Sequence, residues 1–127
     1  MNAPTPTRVH YHKQARELEL GYANGDTYRL PVEFLRVYSP SAEVRGHGGD
    51  TAVLKVGKKE VGLQNITQAG NYALKLHFDD GHDSGLFSWN YLFDLATHQD
   101  AYWQNYLKRL EEAGASREPA GIQFKQL

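Results

Sequence analysis

The stretch Asn71–Leu95, NYALKLHFDDGHDSGLFSWNYLFDL, carries the fold in its spacing. Tyr72, Leu74, Leu76 and Phe78 alternate with Ala73, Lys75 and His77, the period of a half-buried strand. Asp79-Asp80-Gly81 is turn chemistry, and a second run from His82 to Phe87 predicts the returning strand. Ser88 then stands where a helix needs a side-chain acceptor for its first free N–H groups. Trp89, Tyr91, Leu92 and Leu95 follow at helical spacing. A second helix carries Tyr102, Trp103, Tyr106, Leu107 and Leu110 until Gly114 stops it.

Upstream, Arg8–Tyr11 and Arg16–Tyr22 alternate in the same way, with Leu18, Leu20 and Tyr22 on one face. Asn24-Gly25-Asp26 predicts a tight turn into a strand over Thr27–Leu30. Pro31 suits the start of a short helix holding Val32, Phe34, Leu35 and Tyr38, which ends before Pro40. Ser41–Gly49 reads as a polar loop, with one helical turn around Ala42–Arg45. Ala52–Val56 and Val61–Leu63 read as short strands around the turn Gly57-Lys58-Lys59, and Asn65–Gly70 as a connection. Strands first and helices last predict an α+β domain: a mostly antiparallel sheet built from hairpins, packed by the short helix after the first hairpin and by the C-terminal helices. The expected organisation is a disordered lead over 1–7, a domain over 8–113, and a tail over 114–127. The tail reads as mobile, although Ile122, Phe124 and Leu127 are spaced so that one face could dock.

Composition narrows the function classes. The 127 residues make one domain, and a hydrophobic fraction of 40% with five Phe, eight Tyr and two Trp is enough for a core. A formal net charge of −1 with mixed signs argues against nucleic acid as a partner. The absence of cysteine removes disulfides, thiolate metal sites and thiol catalysis. No apolar run is long enough to span a membrane, and the N-terminus lacks a secretory pattern, so the expected location is cytoplasmic.

Three segments together resemble the gamma-butyrobetaine hydroxylase-like N-terminal domain family: YRLPVEFLRVYSPSAEVRGH (Tyr28–His47), the block from Val61 to Leu92, and the aromatic helix around Tyr102–Leu110. The resemblance implies a compact α+β domain that occurs before the catalytic jelly roll of iron- and 2-oxoglutarate-dependent hydroxylases, beside some iron–sulfur carrier ATPases, and free-standing in bacteria. The chain is expected to end before a jelly roll, and so to lack its iron triad. In the hydroxylases the domain holds zinc through a Cys-x-Cys-x-x-Cys segment and a later histidine. On this sequence that motif falls on Ser39, Ser41, Val44 and His82, where only the histidine is an ordinary zinc ligand. The expectation is a degenerate site with no metal and no cofactor.

Other candidates are weaker. His10 and His12 share a strand face, and His47, His77, His82 and His98 add to a set that reads as structural rather than metal-binding. Asp79, Asp80, His82 and Asp83 read as a turn capped by its own carboxylates rather than a cation site. Arg45 to Asp50 is a glycine-rich loop that matches no phosphate-binding fingerprint. No serine or carboxylate pair stands in a catalytic context. The resulting expectation is a non-catalytic binding or scaffold module serving a protein partner of iron–sulfur carrier or oxygenase type, with Arg45, His47 and His82 in its interaction loop. The alternative is a zinc- or iron-binding protein that uses histidines. Tyr102, Trp103 and Tyr106 are expected to complete the core, leaving a monomer or weak dimer.

Overall fold

The computed structural model describes residues 3–40, 54–82 and 85–119. The expected Ser41–Gly49 loop, with Ser41, Val44, Arg45 and His47, lies outside them, as do Asp83 and Ile122 to Leu127. Among the described residues the elements follow in the order β1 (Arg8–His12), β2 (Glu17–Gly21), β3 (Thr27–Pro31), α1 (Val32–Val37), β4 (Leu63–Ala69), β5 (Ala73–Phe78), β6 (Gly85–Ser88), α2 (Trp89–Thr97) and α3 (Gln99–Ala113). The strands form two three-stranded antiparallel meanders, β1-β2-β3 and β4-β5-β6. This is the expected α+β class, divided between two sheets.

Local chemistry places most of the ends. Gly25 takes φ +96 in the β2–β3 turn, where Tyr22 N–H donates to Asp26 O and Asn24 Oδ1 accepts from the Asp26 amide. Ser88 Oγ accepts from Tyr91 N–H at 3.1 Å and caps α2. Gly114 in the left-handed region ends α3, with Ala115 N–H returning to Leu110 O.

Inward residues of both sheets meet in one cluster: Leu18, Leu20 and Leu30 from the first, Leu74, Leu76, Phe78 and Phe87 from the second, with Leu92 and Leu95 of α2. α1 lies within it, and Val32 through Arg36 are all buried. Tyr106 is fully buried, and Tyr102 and Trp103 are partly buried against the core.

Two expectations need correcting. Leu63–Ala69 is strand β4, so most of the expected connection over Asn65–Gly70 is strand. Its partner β5 supplies the ladder, and a register shift between Leu63 and Asn65 further blurs the alternation. Leu54–Val56 is not a strand, and Val61 and Gly62 precede one. Toward the two ends of the described residues, Ala3 and Thr7 amides donate to the Asn90 side chain and to Gly21 O. Gly57 and Lys59 amides donate to Ser116 O and Arg117 O, and Arg117 makes a two-pronged bond to Glu33 at 2.8 Å from both Nε and Nη2.

Because Phe34 is wholly buried beneath Trp103 and Tyr38, Phe34→Ala is expected to lower unfolding stability by about 3–5 kcal/mol. Exposed Val56→Ala should change it by less than about 0.5 kcal/mol. Urea denaturation followed by tryptophan emission reads both.

Candidate functional site

Where α1 ends it meets the β5–β6 turn. Arg36 faces that turn with its side chain 9% exposed, and its Nε donates to Asp80 Oδ2 at 2.9 Å. Lys58 Nζ donates to the same oxygen at 2.8 Å, and the His82 amide donates to Asp80 Oδ1 at 3.1 Å. The Asp80 carboxylate thus caps its own turn and binds two cations. Burial alone would raise its pKa, but the bonds from Lys58, the His82 amide and Arg36 outweigh this and hold it at about 2. The Arg36 guanidinium also lies 5.8 Å from the centre of the Phe78 ring, and its buried Nη1 has no hydrogen-bond partner among the described residues.

Ser39 and His82, separated by 43 positions, are brought together beside this cluster. Ser39 is 5% exposed, and its Oγ lies 3.1 Å from His82 Nε2. Gly85 packs directly against the serine: a Cβ there would run into Ser39 Oγ and come within 3.2 Å of Phe87 Cε1. The His82 ring tilts over Phe78 with centroids 5.8 Å apart.

These donors do not fit a zinc ion. Structural zinc takes four ligands, chiefly thiolate and imidazole. Among the described residues this seam offers one imidazole, bonded to a neutral hydroxyl, in a chain without cysteine. Among the described residues no three His, Cys, Asp or Glu side chains converge. The histidines there have local contacts: His12 with Glu19 at 2.6 Å, His77 with Thr67 at 3.0 Å, His98 with Asp94 at 3.0 Å. His10 stacks near His12, as their shared face predicted, with ring centroids 4.3 Å apart.

A tyrosine network continues from the seam. Tyr91 Oη donates to Tyr38 O at 2.5 Å, Tyr38 Oη to Tyr102 O at 2.7 Å, and Tyr102 Oη to Asp94 Oδ2 at 2.7 Å. Burial raises the Tyr91 phenol far above its ordinary range. The sequence reading missed the Arg36–Asp80–Lys58 cluster. Its signal was Glu33 and Arg36 inside the otherwise apolar hexapeptide VEFLRV, since charges on a buried helix require partners.

A family model described as gamma-butyrobetaine hydroxylase-like, N-terminal, matches residues 9–93. One protein solved in solution by NMR is 52% identical, covering 98% of each chain with a TM-score of 0.80. A second NMR structure is 50% identical over 98% of this chain and 93% of its own, also with a TM-score of 0.80. A crystal structure from Acidithiobacillus ferrooxidans ATCC 23270, of a protein with unknown function in the DUF971 family, is 35% identical. It covers 72% of this chain and 92% of its own, with a TM-score of 0.60. No curated protein matches.

Asp80→Asn leaves Arg36 and Lys58 facing a neutral amide. The expected cost is about 2–3 kcal/mol at pH 7, below the range for a fully buried pair because Asp80 keeps 22% exposure. Its folded pKa lies below the ordinary 3.8, so this stabilisation is present above pH about 4 and fades as pH falls toward 2. Denaturation at pH 7 and pH 3 should show the gap between wild type and variant narrowing. Gly85→Ala should cost about 1–3 kcal/mol by overpacking, and less when Ser39→Ala has removed the opposing hydroxyl. A double-mutant cycle measures that coupling.

Proposed function

The chain belongs to the gamma-butyrobetaine hydroxylase-like N-terminal family, and from that premise we propose that it is a non-catalytic binding module acting in the cytoplasm through a protein partner. The observation that carries this reading is the way the polar groups of the candidate site are used. Ser39 bonds His82, and Asp80 takes Arg36, Lys58 and the His82 amide. The Arg36, Ser39 and Lys58 bonds join α1, the residues just after it and the segment before β4 to the β5–β6 turn, which the His82 amide bond caps, so the cluster welds two halves of the fold rather than presenting an activated nucleophile or an acid–base pair. Docking of this kind needs a rigid surface, and the weld supplies it.

The partner class rests on the family resemblance: iron–sulfur carrier or oxygenase-type proteins. No helix among the described residues is long and apolar enough to cross a membrane, which fits a partner met in solution.

Protein purified without a histidine tag should contain less than about 0.1 equivalent of zinc or iron and keep its melting temperature in excess chelator. Stoichiometric metal, or unfolding by the chelator, would overturn the reading in favour of a histidine-based metal protein. Affinity capture from the native cell should recover an iron–sulfur carrier or oxygenase component. Capture that reproducibly recovers neither rejects the partner class.

A further inference from the structure

The N-terminal lead forms neither helix nor strand over residues 3–6, yet it is held at both ends. Ala3 N–H donates to the Asn90 side chain at 2.8 Å, across 87 positions, and Thr7 N–H donates to Gly21 O at 2.7 Å. Between these anchors Pro4 and Pro6 fix φ near the polyproline value and offer no N–H groups. Opposite the lead stand Tyr72, Trp89 and Asn90, and between the two walls lies a cavity of about 410 Å³ that Ala3 and Thr5 border.

The facing wall is built to stay in place. Trp89 donates its indole N–H to Asn71 O at 2.7 Å and its amide to Tyr72 O at 3.1 Å, which fixes the ring to the β4–β5 turn. Tyr72 keeps 58% of its surface in water, the largest value among the exposed large hydrophobic residues of the described chain. A fixed indole, an open phenol ring and an amide that accepts from a backbone N–H are what an extended proline-containing segment requires. The rings border the space next to the Ala3 and Thr5 positions, prolines keep such a segment extended, and the amide reads main chain rather than side chain. The chain's own lead meets the surface with a methyl and a threonine, too small to fill the space between.

We propose that the Tyr72–Trp89–Asn90 surface is a docking site for an extended, proline-containing segment of a partner protein, one that carries larger apolar side chains where the lead carries Ala3 and Thr5. The lead itself is the resident occupant. This rests on the binding-module reading and names the chemistry of the partner segment. Because the lead is tethered, it competes at an effective concentration in the millimolar range. An incoming segment must gain from burying its larger side chains what the tether gives the lead.

The test is an NMR titration of the ¹⁵N-labelled full chain and of a Pro4→Gly/Pro6→Gly variant, whose substitutions lie outside the core and loosen the lead. Three acetylated peptides serve as probes: APTPTR, LPLPTR and LGLGTR. LPLPTR should shift the Trp89 indole and Asn90 side-chain signals saturably, at least about tenfold more tightly than APTPTR. LGLGTR should bind at least about fivefold more weakly than LPLPTR. The glycine variant should bind LPLPTR more tightly than wild type, and Asn90→Ala should weaken it. Absence of saturable shifts in both wild type and glycine variant overturns the proposal, as does equal binding of LPLPTR and LGLGTR. A captured cellular partner whose recovery ignores Asn90→Ala and Trp89→Leu overturns it too, while leaving the binding-module reading intact.

Discussion

Burying α1 sets the terms for everything around it. The helix has six residues, too few to be stable alone, and five of them are removed from water. Two of those five, Glu33 and Arg36, carry opposite charges, and an uncompensated buried charge is among the most costly defects a fold can carry. Each charge therefore dictates a long-range contact. Glu33 is met by Arg117 from beyond α3, whose guanidinium also stacks 5.2 Å from the Trp103 ring. Arg36 is met by Asp80 from the β5–β6 turn. One short helix thus fixes where Arg117 lies and where the second meander turns from β5 toward β6.

That constraint explains which features were legible in the sequence. Features whose cause is local could be read: the Asn24-Gly25-Asp26 turn, the Ser88 cap, the Gly114 stop, and the alternation of Leu74, Leu76 and Phe78. What escaped has its cause elsewhere in the chain. β4 exposes Gln64, Asn65, Thr67 and Gln68, so its strand character comes from hydrogen bonding to β5 rather than from a buried face of its own. After Gly114, Ser116 O and Arg117 O accept from the Gly57 and Lys59 amides and the Arg117 side chain reaches Glu33, contacts that no local pattern announces. Likewise the Ala3 amide donates to the Asn90 side chain, 87 positions away.

At the candidate site the division is similar. The family resemblance paired Ser39 with His82, and the two do meet in space. No spacing rule reveals the neighbouring Arg36–Asp80–Lys58 cluster, because its members are 44 and 22 positions apart and belong to different elements. Gly85 shows the difference well. In sequence it is one more glycine after a turn, whereas in the structure its missing side chain lets a buried hydroxyl reach the imidazole.

The sequential order of both meanders has a kinetic consequence. β1-β2-β3 and β4-β5-β6 each pair only chain neighbours, so their ladders close short loops at low entropic cost. The bond between Glu33 and Arg117 spans 84 positions and gains little until both sheets and α3 exist. Assembly by this ranking runs from two independent hairpin nuclei toward a late closing clasp. Local opening in the native state then runs in reverse, with the C-terminal clasp exchanging its amides before either sheet does.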